Sequence, residues 1–104
     1  MKSINDVALQ SALEDCRSAL RLDPDNRGAS ESIGMALLKL GKLEEARDAY
    51  SNAIAKKLGA DAYMGRAMVR ARLGDKQGAQ ADAAEARKLR PDIDDTFAEY
   101  GLKL

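Results

Sequence analysis

The chain contains no histidine and no tryptophan, and it has one cysteine, one phenylalanine and two prolines among its 104 residues. Each shortage removes a class of function. Without histidine, the commonest general base and the commonest transition-metal ligand are both missing. Cys16 alone forms neither an internal disulfide nor a structural zinc site, and as a nucleophile it has no imidazole partner. The glycines fall singly, so there is no glycine-rich loop to cradle phosphate. Residues Met1 to Gln10 hold no apolar run of signal-peptide length, and no stretch approaches a membrane span. The expectation is a soluble, cytoplasmic protein that is not an enzyme. It has no catalytic, cofactor-binding or metal site and no membrane partner.

Neither sign of charge is in excess, with 17 basic and 17 acidic residues. A nucleic-acid binder usually carries a basic surplus. Arg66, Arg70, Arg72, Arg87, Lys88 and Arg90 make the later part locally basic, which reads as a solvated surface of mixed sign. An RNA-binding repeat using Arg66, Arg70 and Arg72 is the weaker alternative. The run Asp92, Asp94, Asp95 opens a helix, where the dipole favours negative charge. It lacks the glycine and terminal glutamate of a calcium loop.

What the sequence does have is small apolar residues and internal repetition. It is 45% apolar and only 4% aromatic, so the core must be built from Ala, Leu, Ile and Met. A chain of this length buries roughly 65% of its unfolded surface, enough for one modest core. Leu40, Gly41 and Ala46 recur at Leu73, Gly74 and Ala79, 33 residues later. The same offset links Met35 to Met68, Ala53 to Ala86 and Lys57 to Arg90. Ala12, Ala19 and Pro24 form a looser earlier copy. A period this long signals stacked supersecondary units.

Each unit reads as two helices. Residues 28–40 carry Ile33, Ala36, Leu37 and Leu40 on one stripe, and residues 43–57 carry Leu43, Ala46, Ala49, Tyr50, Ala53 and Ile54, closing at Leu58. Residues 61–73 and 76–89 repeat the pattern. Gly41 and Gly74 are helix stops. Residues 5–22 form a helix before Pro24, and 93–100 a last one, with Ile93, Phe97 and Tyr100 on one face, Asp92 as its cap and Gly101 as its end. Pro24 and Pro91 mark turns. Connections this short make sequential helices antiparallel neighbours.

The period, the paired helices and the proline closing a unit resemble the tetratricopeptide repeat. In the middle unit Ile33, Gly34 and Leu37, then Ala46, Tyr50 and Ala53, fall on the positions of that pattern, with Leu58 in place of the closing proline. The last unit offers Tyr63, Ala67, Ala79, Ala83, Ala86 and Pro91, and the first only Ala12, Cys16, Ala19 and Pro24. Arg66 and Arg70 depart from the pattern, standing where leucine and tyrosine are preferred, and Ala83 replaces an aromatic. These departures are expected to weaken the last unit's core. The resemblance implies an all-α fold of antiparallel helix pairs stacked as a short right-handed superhelix with a C-terminal capping helix. Residues 1–104 then form one domain: a partial first repeat at 5–26, repeats at 27–59 and 60–92, and a capping helix and tail at 93–104.

Gly34, Ala46, Ala53, Ala67, Ala79 and Ala86 are expected to let helix backbones approach closely. A large residue at Ala46 or Ala79 should overpack that contact and cost about 1–3 kcal/mol. An unchanged chemical-denaturation midpoint would count against the repeat.

The resemblance implies a noncatalytic protein-interaction module whose first helices line a concave groove. Glu31, Met35 and Leu38 lie off the core stripe of helix 28–40, and Met64, Met68 and Ala71 off that of helix 61–73. They are either buried between neighbouring units or line the groove, where flexible methionines suit a protein partner. Lys39 and Arg72 are expected beside it, favouring a partner peptide or helix with apolar anchors and an acidic group. Glu31 and Met35 replace the lysine and asparagine of the family's carboxylate clamp, so chaperone-tail binding is not expected. The alternative function is a structural unit that forms a homodimer. The helix at 5–22 shows Ile4, Val7, Leu9, Leu13, Leu20 and Leu22 without the usual preceding helix, so that a second copy covers this face, or the chain is a fragment of a longer array, or the helix packs with fewer neighbours.

Overall fold

Alanine and leucine at helical spacing, interrupted by glycine, dictate a series of short helices. The computed structural model describes residues 4–57 and 59–104. Six helices run through it: α1 Ile4–Leu22, α2 Arg27–Lys39, α3 Leu43–Ala55, α4 Ala60–Arg72, α5 Lys76–Leu89 and α6 Ile93–Glu99. No strand occurs among the described residues. Leu58, read as the substitute for a closing proline, lies outside them.

α2, α4 and α6 begin 33 residues apart, at Arg27, Ala60 and Ile93. They also end alike. Gly41, Gly74 and Gly101 take φ of 78°, 89° and 77°. The following N–H groups, on Lys42, Asp75 and Leu102, donate back to Leu37, Arg70 and Phe97 at 2.9, 2.8 and 3.0 Å. A left-handed residue turns the chain and satisfies the last carbonyls, and glycine takes that geometry without a Cβ penalty. At the other ends, Asn26 Oδ1 accepts from Ala29 N–H and Asp75 Oδ1 from Gly78 N–H, both at 2.9 Å. Asp92 does not cap α6 through its side chain. Its carboxylate instead meets Arg90 Nε at 3.4 Å.

α4 is the centre of the molecule, packing against α3 and α5 on its flanks and also against α2 and α6. Its Ala62, Met64, Ala67, Met68 and Val69 are therefore all buried. α6 packs on α4 and α5 as α4 packs on α2 and α3, so it takes the place of another first helix, shortened. At the opposite edge α1 packs, among the described residues, on α2 alone. Leu13 is its one buried residue, while Ile4, Val7 and Leu22 are exposed. Lys56 Nζ secures the α1–α2 turn by donating to the Pro24 carbonyl at 2.6 Å.

Two sequence expectations about packing are corrected. Gly34 makes room for a side chain rather than for a helix backbone. A Cβ at Gly34 or at Gly65 would collide with the outer ring atoms of Tyr50. The ring sits between α2 and α4, 1% exposed, where those two glycines leave space for it. The second correction concerns Arg66 and Arg70. Instead of weakening the core, they close the α4–α5 pair around Asp82, which is 4% exposed. Arg66 donates Nε and Nη2 to the two carboxylate oxygens, each at 2.8 Å, and Arg70 Nη1 donates to Oδ2 at 2.9 Å. Arg66 also donates to Ser51 Oγ at 3.3 Å and lies over the Tyr63 ring, 5.9 Å from its centroid. A buried carboxylate is tolerated when its lone pairs are filled this way. The hydrogen bond and charge of Asp82 hold the Arg66 guanidinium more firmly protonated than usual. Two of the three arginines weighed for RNA are thus committed to an internal carboxylate.

Candidate functional site

The repeated placement of α2, α4 and α6 brings their side chains to one concave face. A cavity of about 160 Å³ lies there. α2 supplies Glu31, Ser32 and Met35, α4 supplies Asp61, and α6 supplies Phe97 and Tyr100. Tyr50 of α3 completes the lining. The aromatic rings of Phe97 and Tyr100 meet edge to face, with centroids 5.8 Å apart and planes at 73°.

Two polar atoms at this cavity are buried without a hydrogen-bond partner: Glu31 Oε1 and the Tyr50 hydroxyl. Such groups are rare in folded proteins and costly to leave unpaired. Burial pushes the Glu31 carboxyl up to about 7, Asp61 adds to the rise, and Arg27 and Arg90 oppose it. Burial also holds the Tyr50 phenol above its usual range, with Glu31 and Asp61 adding to the effect. Asp61 faces Arg90 Nη1 at 3.6 Å. Arg90 is shared further, with Thr96 Oγ1 at 2.7 Å and with Asp92. Arg87 pairs with Asp94 through bonds of 2.7 and 3.0 Å, joining α5 to α6 and lowering the Asp94 carboxyl below its ordinary value.

Of the residues expected in the groove, the structure brings Glu31 and Met35 to the cavity. Leu38, Met64 and Met68 are 4%, 0% and 1% exposed and have no surface to offer. The physical reason is that α2 and α4 each have neighbours on several sides. Ala71 is exposed but lies off the cavity lining. Lys39 and Arg72 are exposed in the last turns of their helices. Neither lines the cavity, and Lys39 lies beside Asn5, Asp6, Ala8 and Leu9 of α1 instead. The cavity itself carries two carboxylates, Glu31 and Asp61, with Arg27 and Arg90 as the nearby cations.

Sequence reasoning missed Asp61 and the contribution of Tyr50, Phe97 and Tyr100. The 33-residue offset carried a signal for Phe97, because it aligns with Met64 and Glu31. Tyr50 gave none, since a buried aromatic with an unpaired hydroxyl looks like any core tyrosine.

A tetratricopeptide repeat family profile matches residues 8–57 and again 32–92. The chain belongs to the tetratricopeptide repeat family. No curated protein sequence matches it closely enough to count as a relative. Members of this family generally mediate protein–protein interaction and are typically noncatalytic. Among the described residues no cluster of three or more Cys, Asp or Glu is placed to hold a metal ion, and no helix is long and apolar enough to cross a membrane.

The position of Glu31 gives a prediction about pH. A carboxyl with a raised folded value binds more protons folded than unfolded between about 4.5 and about 7. Its contribution to stability therefore falls as pH rises through that window and is fully lost above it. Glu31→Gln should be more stable than wild type at pH 8, and the difference should shrink toward pH 5. Urea midpoints of both proteins at the two pH values test this, and parallel curves would contradict it.

Proposed function

We propose that the chain is a noncatalytic protein-interaction module that holds a partner peptide or helix against the concave face of α2, α4 and α6. The observation supporting this is that all three first helices contribute to one cavity, and that the cavity has unpaired polar groups and aromatic walls. Met35 is part of its lining. Met35→Glu should leave the fold intact, as circular dichroism will show, and abolish capture of specific partners from source-cell lysate. Recovery of the same proteins by both baits would contradict the reading.

A second reading rests on α1. It packs on one neighbour and exposes Ile4 at 88% and Val7 at 56%. A second copy covering this face would make the chain a self-associating unit. Sedimentation equilibrium of wild type and Val7→Glu decides it. A dimer in wild type that Val7→Glu dissociates supports the reading, and a monomer at all concentrations ends it.

A further inference from the structure

We propose that the cavity between α2, α4 and α6 receives one lysine side chain of the bound partner segment, its ammonium held by Glu31, Asp61 and the Tyr50 hydroxyl. The proposal rests on the concave face being the partner surface, and it names the chemistry recognised there.

The first argument is the unmet hydrogen-bonding capacity. Glu31 Oε1 and Tyr50 Oη are both buried at the cavity and both lack a partner, and the Tyr50 side chain is 1% exposed. The ring cannot withdraw toward α2 or α4, because Gly34 and Gly65 already leave it only its own width. Its hydroxyl is thus fixed where a donor from a ligand would meet it. A lysine ammonium has three donors and no acceptor. Acceptor groups from three different helices line the cavity: Glu31 and Ser32 of α2, Tyr50 of α3 and Asp61 of α4.

The second argument is charge and shape. The groups that line the cavity bring two carboxylates and no cation. The nearby cations are Arg27 and Arg90. Arg90 is already divided among Asp61, Asp92 and Thr96. An anionic side chain would enter against Glu31 and Asp61, whereas a cation would restore the charge balance. The remaining walls, Met35, Phe97 and Tyr100, suit a lysine's methylene stem, and an aromatic face attracts its ammonium. The volume of about 160 Å³ exceeds what a single water requires. The rival cation is the planar guanidinium, which carboxylates also accept, and the titration sets it directly against the ammonium.

Binding of a cation beside Glu31 stabilises the carboxylate, so the ligand should bind more tightly as pH rises through about 7. Asp61, Tyr50, Arg27 and Arg90 face the same point and act on the same equilibrium.

The test is an NMR titration of the labelled full chain at pH 8 with n-butylammonium, the lysine side-chain analogue. n-Butylguanidinium and butyrate serve as competitors in charge and shape. Butylammonium should give saturable amide shifts at Ser32, Met35, Asp61 and Phe97. Affinity should fall about tenfold or more in Glu31→Gln, the loss expected for one charge-assisted hydrogen bond. It should fall less in Tyr50→Phe, and butyrate should leave these amides unmoved. The proposal is overturned by butyrate or butylguanidinium binding equally well, by shifts unaffected in Glu31→Gln, or by no saturable shift, in which case water alone fills the cavity. Failure here with partner capture still lost in Met35→Glu would sink the lysine subsite and spare the groove. Saturable amine binding with partner capture unchanged in Met35→Glu would leave a cavity that takes an ammonium but overturn both the groove reading and its assignment to a partner's lysine.

Discussion

Asp82→Ala should lower stability by about 3–5 kcal/mol, the cost of removing one partner from a buried ion network. The loss comes from what remains. Arg66 and Arg70 keep 18% and 27% of their side-chain surface exposed, so each is largely confined between α4 and α5 once its carboxylate has gone. Arg70 retains a long contact with Asp75 at 3.9 Å and Arg66 a bond to Ser51, neither of which replaces the three short bonds to Asp82. Partial escape to water places the expected value nearer the lower end. Asp82→Asn keeps the volume but turns an amide NH₂ toward a guanidinium, and should lose most of the same stability. Replacing all three residues together, as Arg66→Met, Arg70→Leu and Asp82→Leu, should recover much of it, because an apolar core carries no desolvation cost. Urea denaturation of the four proteins checks the series. If Asp82→Ala costs less than about 1 kcal/mol, the network behaves as a surface ion pair and this account of the α4–α5 pair is wrong.

The second large effect is at Tyr50. Tyr50→Ala should cost about 3–5 kcal/mol, since the ring is buried where α2, α3 and α4 meet and Gly34 and Gly65 cannot move in to fill the space. In a domain whose total stability is of order 5–15 kcal/mol, that leaves a marginal fold. Tyr50→Phe should be close to neutral or slightly stabilising, because the hydroxyl it removes has no partner. Gly65→Ala approaches the same contact from the opposite side and should overpack it by about 1–3 kcal/mol. Thermal or chemical denaturation of these variants separates ring packing from hydroxyl chemistry. A Tyr50→Phe loss as large as that of Tyr50→Ala would mean the hydroxyl is structurally engaged, and the ligand argument built on it would fall.

The helices were legible because their signals are local. The stripes of residues 28–40 and 61–73, and the stops at Gly41 and Gly74, each depend on a few neighbouring residues. The 33-residue recurrence then dictated the stacking. Burial on the off-stripe face of α4 was less legible. Met64 and Met68 look alike in sequence whether they line a groove or meet a neighbour, and the neighbours of α4 are decided by tertiary packing. Arg66, Arg70 and Asp82 were unreadable for a related reason. The arginines lie 16 and 12 residues before their carboxylate, and only the antiparallel pairing of α4 with α5 brings the three together. Charge at the groove was misread because Lys39 and Arg72 are conspicuous and equivalent in the repeat. Asp61 stands alone and gains significance only through its position opposite Glu31.

The cavity carries the functional argument because the fold concentrates unmet polarity there. Elsewhere the buried carboxylate of Asp82 finds protein partners, whereas Glu31 Oε1 and Tyr50 Oη do not. A protein-interaction repeat that recognised its partner through apolar contact alone would need neither. The most direct measurement is amide-shift mapping of the labelled chain with the binding segment of a partner captured from source-cell lysate. The account predicts shifts at Ser32 and Met35 of α2, Asp61 of α4, and Phe97 and Tyr100 of α6. Shifts confined to α1 around Ile4 and Val7 would contradict it and place the working surface at the opposite edge of the molecule.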